Sequence, residues 1–172
     1  MLFSLHAAEL EFSTEAPHHA HDVEEISAEA FGPGRFARAA ARVREMTAHA
    51  HDLSFVVCLN GKVVGSVRQT LVRAGERPVV MLGPLAVRPA YKGQGLGAAL
   101  MGQAADAAKA AGEELIFLVG DRPYYMPLGY MPVPRGTLLM PGPVDPDRIL
   151  ALPLKPGAMD GFGGRISARI RA

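Results

Sequence analysis

Hydrophobic and polar positions change period several times along the chain, and each change marks an element. In "AELEFSTEAP" Leu10 and Phe12 alternate with polar neighbours, the period of a half-buried strand, and Pro17 closes it. From about Asp22 the period lengthens: Val23, Ile26 and Ala30 fall on one helical face before the breaker Gly32-Pro33-Gly34. "RFARAAARVREMTAHA" predicts a second helix, with Phe36, Ala39, Ala40, Val43 and Met46 inward and its arginines outward. "LSFVVCL" and "KVVGSVRQTLVR" predict a hairpin, because Asn60-Gly61 supplies the positive φ angles of a tight turn. A third apolar strand, "VVMLGPLAV", follows.

Beyond it, "GLGAALMGQAADAAKAAG" predicts a helix with Leu96, Leu100, Ala104, Ala107 and Ala111 at apolar spacing and Gly112 as its stop. "ELIFLVG" is apolar without alternation, so it reads as a strand buried on both faces. "DRPYYMPLGY" predicts one short helical turn ending at Gly129, and "GTLLM" and "ILALPL" two further strands. No repeat or linker divides the chain, so residues 1–172 read as one mixed α/β domain.

Composition narrows the function. A chain of 172 residues buries a core without disulfides, and a net charge of +1 gives no field for nucleic acid. The single cysteine, Cys58, sits in an apolar run and reads as a buried thiol in a reducing compartment. The N-terminus lacks a basic leader and no stretch approaches the ~20 apolar residues of a membrane span, so a soluble cytoplasmic protein is expected. His18, His19 and His21 read as a solvated lead-in to a helix, and no metal is expected.

The chemistry concentrates in "VRPAYKGQGLGAAL", where Gly93, Gly95 and Gly97 stand at the mouth of the alanine-rich helix. A strand, a glycine-rich turn and a helix N-terminus expose unpartnered N–H groups, and glycines let a diphosphate reach several at once. Lys92 adds a cation at the rim. The Walker pattern fails because no Lys-Ser or Lys-Thr follows, and the dinucleotide fingerprint fails because the glycines alternate. A close-packed turn that binds nothing remains open on spacing alone.

Lys92-Gly93-Gln94-Gly95-Leu96-Gly97 resembles the acyl-CoA signature of the GNAT superfamily of N-acetyltransferases, Q/R-x-x-G-x-G/A, with Lys at its first place. The order of elements matches as well. "FGPGRFAR", "LGPLAV", "VGDRPYY" and "PGP" resemble a bacterial subfamily of predicted acyltransferases, so the likeness covers nearly the whole chain. It implies an α+β fold: a twisted, mixed, mostly antiparallel sheet of six to seven strands flanked by about four helices.

The resemblance further implies that acetyl-CoA is the acyl donor. Its pantetheine arm would pair with Leu85, Ala86 and Val87, where a fourth strand splays from the fifth, and its diphosphate would sit on the amides of Gly93, Gln94, Gly95, Leu96, Gly97 and Ala98. Gly83-Pro84 supports the splay independently, since proline has no N–H to donate. Tyr125-Met126-Pro127-Leu128-Gly129-Tyr130 fits the family's Y-x-x-x-G-F/Y, which makes Tyr125 the general acid for the leaving thiolate and Tyr124 its rival. The base stays open among Glu24, Glu25, Glu76, Asp121 and a backbone-held water. Arg35, Arg38, Arg42 and Arg44 cluster in "FGPGRFARAAARVRE", and Arg35, Arg38 and Arg42 share a helical face, either a solvated one or a greeting for an acidic acceptor. The acceptor expected is a small-molecule amine or a peptide, with a homodimer compatible. A non-catalytic acyl-CoA sensor and a protein or peptide N-acetyltransferase are the alternatives.

Overall fold

The computed structural model describes residues 9–170; residues 1–8, where the reading of the N-terminus begins, and 171–172 lie outside the described residues. In chain order the elements are β1 (Leu10–Thr14), α1 (Ala20–Phe31), α2 (Ala39–Met46), β2 (Phe55–Leu59), β3 (Lys62–Ala74), β4 (Arg77–Val87) and α3 (Leu96–Ala110). They continue with β5 (Leu115–Val119), α4 (Arg122–Tyr125), β6 (Met131–Pro132), β7 (Leu138–Leu139), β8 (Ile149–Pro153) and β9 (Gly164–Ala168). The main path of the sheet runs β1-β2-β3-β4-β5-β8-β6, with β9 beside β3 and β7 beside β9. Among the described residues only β4–β5 and β7–β9 run parallel. The mixed, mostly antiparallel sheet and its four α-helices match expectation, but nine strands stand where six to seven were expected. β6 is only two residues long and includes a proline, and the short β9 follows glycines at positive φ, so neither carries a strand-length hydrophobic pattern.

Local chemistry explains the hairpin. β2 and β3 pair out to Leu59↔Lys62, and the turn between them holds Asn60 at φ 50° and Gly61 at φ 80°. The strand alternation then sorts the core onto two faces. Val57, Val67, Leu82 and Leu118 pack with Leu96, Leu100, Met101 and Ala104 of α3. On the opposite face Val56, Val63 and Ala86 meet Val23 and Ile26 of α1, while Val72, Met81 and Phe117 meet Val43 of α2. β5 feeds both cores, as its unbroken apolar run predicts.

Three helical faces differ from expectation. Ala30 is exposed at the last turn of α1. Phe36 (58% exposed) and Met46 (43%) point outward rather than in, and α2 buries Ala39, Ala41 and Val43. Phe36 is set apart by Arg38, whose extended backbone separates a 3-10 turn at Pro33–Ala37 from a helix that starts only at Ala39, while Met46 is the last residue of that helix. In α3, Met101 and Ala108 are buried besides the expected Leu96, Leu100 and Ala104, Ala107 packs half-buried against the same core, Ala111 is exposed, and Gly112 at φ 85° ends the helix as predicted.

A buried polar node ties the first strand to the centre of the sheet. Arg68 Nε donates to both oxygens of Glu15, at 3.0 and 3.3 Å, while its Nη1 donates to Glu24 at 2.8 Å. His49 closes on the same Glu15 carboxylate, and His51 Nδ1 lies 3.8 Å from it. Burial alone would raise the Glu15 pKa, but His49 and Arg68 outweigh it and hold the carboxyl below its ordinary range. A depressed carboxylate stabilises the fold above its unfolded pKa of about 4.3, and that stability is lost as pH falls through the lower folded value. Because Arg68 keeps Glu24, Glu15→Gln should cost about 1–3 kcal/mol near neutral pH, read as a lowered melting temperature. That deficit should shrink as the pH is taken below about 4, and a deficit constant with pH would contradict the assignment.

Candidate functional site

The site begins where β4 leaves β5. Their parallel register is limited to Val80↔Ile116 and Met81↔Phe117. Past Met81 the chain reaches Gly83, at φ 130°, and Pro84, joined by a cis peptide, and proline has no N–H to offer the ladder. β4 continues to pair with β3 as far as Val87↔Gly65, so it stays in the sheet while parting from β5. The gap is a cavity of about 370 Å³, walled by Met81 to Leu85 on one side and Leu118 to Asp121 on the other.

A second cavity of about 470 Å³ adjoins it, lined by Leu85, Ala86, Val87, Lys92, Gly93, Gly95, Leu96, Gly97 and Ala98. These are the residues singled out in the glycine stretch, save Gln94, which does not line it. Gly93 and Gly95 hold φ of 78° and 81°, conformations that side chains rarely adopt, so the loop itself requires glycine there. The first backbone hydrogen bond of α3 runs from Ala99 N–H to the Gly95 carbonyl at 3.0 Å. The N–H groups of Leu96, Gly97 and Ala98 precede it without helical partners and form, with the loop, a cradle for an anion. Arg88 fixes the approach: buried, it donates to the Val63 carbonyl at 2.9 Å and to Glu25 and Glu29 of α1 at 2.7 and 3.2 Å. Sequence reasoning missed Arg88, and also Phe31, which lines both cavities.

Two tyrosines divide the space. Tyr125 lines both cavities, whereas Tyr124 lines the second but not the first. Their rings stand edge to face, centroids 4.7 Å apart. Each leans on a glycine: a Cβ on Gly97 would fall 2.5 Å from the Tyr124 hydroxyl, and one on Gly120 would fall 2.3 Å from Tyr125 Cε2. Burial, then the neighbouring Tyr124 and Asp121, push the Tyr125 phenol up to about 12, so it stays protonated at neutral pH. Burial likewise raises Tyr124.

Of the carboxylates weighed as bases, only Asp121 lines the gap, and it lies 3.3 Å from Arg148 Nη2. Glu24 is paired with Arg68 and Glu25 with Arg88, while Glu76 is exposed at the β3–β4 turn, the far end of β4 from the glycine loop. Among the arginines, Arg38 and Arg44 line the gap, Arg35 donates to the Gly32 carbonyl at 2.8 Å, and Arg42 is exposed. Cys58 is buried and its thiol pKa is raised, chiefly by that burial, as expected of a structural residue. His19 Nδ1 accepts from Ala16 N–H at 3.0 Å at the entry to α1, a structural use of that histidine. Among the described residues no helix is long and apolar enough to cross a membrane.

The family model for the acetyltransferase (GNAT) family matches residues 20–130. The chain is 31% identical over 117 residues to YjhQ, an uncharacterized N-acetyltransferase of Escherichia coli (strain K12), a match spanning 66% of this chain and 65% of that protein. Among solved structures it is similar to the GNAT family N-acetyltransferase YhbS from Escherichia coli, crystallised with CoA (TM-score 0.79, 22% identity, 94% of this chain and 90% of that one). It is also similar to a GNAT family acetyltransferase from Brucella melitensis in complex with acetyl-CoA (TM-score 0.68, 22% identity, 93% and 96%). With a match over more than half its length and the same fold, the chain belongs to the GNAT acetyltransferase family.

Proposed function

We propose that the protein is an acyl-CoA-dependent N-acetyltransferase that moves the acetyl group of acetyl-CoA directly to a primary amine. The observation that carries this reading is the junction of the two cavities at Tyr125. Family membership supports it, and so do the coenzymes held by the two similar structures. In this reading the amides from Gly93 to Ala98, with Lys92 at the rim, hold the diphosphate of coenzyme A, and the backbone of Leu85, Ala86 and Val87 runs beside the pantetheine arm. The thioester then lies at Tyr125, where the cavities meet, and the acceptor enters through the gap between β4 and β5.

The chemistry balances simply. The amine lone pair attacks the thioester carbonyl, the C–S bond breaks, and the departing thiolate takes the Tyr125 proton. The ammonium formed on the attacking nitrogen loses its proton to water at the cavity mouth, beside Asp121, whose side chain is 75% exposed, and the Tyr125 phenolate takes a proton back from that water, which restores the acid. The dry surroundings that raise the phenol also raise a thiol, so the donor and its target stay matched. The single cysteine and a buried thiol suit a reducing cytoplasm. A coenzyme-sensing domain would use the same glycine loop and be indifferent to Tyr125.

Tyr125→Phe should lower kcat by about 10²–10⁴ while leaving acetyl-CoA affinity near wild type, and Tyr124→Phe should do less. Thiol-release kinetics over an amine library check this, and normal turnover in Tyr125→Phe would remove its role. Gly97→Val keeps a negative φ at that position but fills the cradle, so calorimetry should find acetyl-CoA binding at least ~10-fold weaker in a folded variant. Gly120→Ala should displace the Tyr125 ring, costing about 1–3 kcal/mol of stability. It should also lower kcat, and adding Tyr125→Phe to it should change turnover little further.

A further inference from the structure

The gap between β4 and β5 contains a charge that the fold does not answer. Arg44, on the last turn of α2, reaches in so closely that its Nη2 would lie 2.9 Å from a Cβ built on Gly83. Its Nε is buried without a hydrogen-bond partner, and among the described residues no carboxylate pairs with its guanidinium. Burial first, then the charges of Arg68 and Arg38, pull its pKa down to about 10, with Glu24 partly offsetting them, so it remains charged at neutral pH. Arg38 stands beside it with its guanidinium 5.4 Å from the Phe31 ring and likewise has no carboxylate partner among the described residues. A desolvated, unpaired guanidinium is costly, and a planar two-oxygen anion is the ligand that satisfies its fork of donors.

The cavity is lined as well by Asp121, Asp145 and Arg148. Asp121 closes β5 and lies 3.3 Å from Arg148 Nη2, the two acting on Tyr125 in opposite senses, and Asp145 lines the cavity with its carboxylate accepting from Asp147 N–H at 2.9 Å. Arg148 offsets one of these two carboxylates, and the charge left on the other favours a cationic amine near the reacting centre, which gives up a proton to solvent before its nitrogen attacks. We infer that the acceptor is a small amine that also carries a carboxylate, its carboxylate seated on Arg44 and its amine end toward Asp121 and Tyr125. This inference rests on the acetyltransferase reading of the same site. At about 370 Å³ the cavity has the size of a small-molecule site.

The experiment compares free amino acids with their matched carboxamides as acceptors at saturating acetyl-CoA. The wild-type enzyme should prefer the carboxylates by at least ~10-fold in kcat/KM, and Arg44→Met should remove that preference while keeping acetyl-CoA affinity and a melting temperature no lower than wild type. Carboxamides accepted as well as their parents, a preference that survives Arg44→Met, or a coenzyme-binding enzyme that acetylates neither series would each overturn the inference. A second measurement needs no acetyl-CoA: N-acetylated amino acids titrated calorimetrically into the coenzyme-free protein. Binding in wild type that is lost in Arg44→Met supports the carboxylate seat even if acetyl-CoA itself fails to bind, which would refute only the acetyltransferase reading. No binding in wild type contradicts the seat.

Discussion

The parting of β4 from β5 is the constraint on which the rest of the molecule depends. Two parallel strands that paired along their full length would leave no room between them, and both cavities would close. Here pairing is limited to Val80↔Ile116 and Met81↔Phe117, because Gly83 turns to positive φ and Pro84 has no N–H to donate. The cost is contained because β4 keeps its antiparallel ladder with β3 through Leu85, Ala86 and Val87, and β5 keeps its own with β8 from Leu115 to Val119. Each strand is thus held from its outer side. The inner side of each is free to face a ligand.

Close approach, rather than added groups, then furnishes the site. Gly97 leaves room for the Tyr124 hydroxyl, Gly120 for the Tyr125 ring and Gly83 for the Arg44 guanidinium, each within 3 Å of where a Cβ would stand. Three side chains with polar ends therefore meet the two cavities from α4 and α2 without any long loop to position them. Arg88, anchored to Val63, Glu25 and Glu29, holds the strand end from which the glycine loop departs. Displacing one of these small residues moves a functional group rather than merely overpacking a core.

Short-range signals were the legible ones. The Asn60-Gly61 turn, the Gly112 stop, the two-faced burial of β5 and the glycine loop each depend on a few adjacent residues, and the structure bears each out. Ala39, Ala40 and Val43 of α2 face the core as expected, but Phe36 does not, because the extended Arg38 puts it in a separate turn, which no periodicity over "RFARAAARVREM" reveals. Long-range pairs were invisible: Glu15 and Arg68 lie 53 positions apart, and nothing in either segment marks a buried ion pair. The burial of Arg44 belongs to the same class, since it follows from the approach of α2 to Gly83. Of the proposed site, the glycine loop and the tyrosine pair were readable, while the charge balance of the gap emerged only from the packed structure.

The most direct test of the account is a crystal structure with acetyl-CoA bound. The account predicts the diphosphate on the amides of Gly93 to Ala98, the pantetheine arm beside Leu85 to Val87, and the thioester sulfur within hydrogen-bonding reach of the Tyr125 hydroxyl. A coenzyme lying outside the gap, or a sulfur that meets Tyr124 instead, would contradict it.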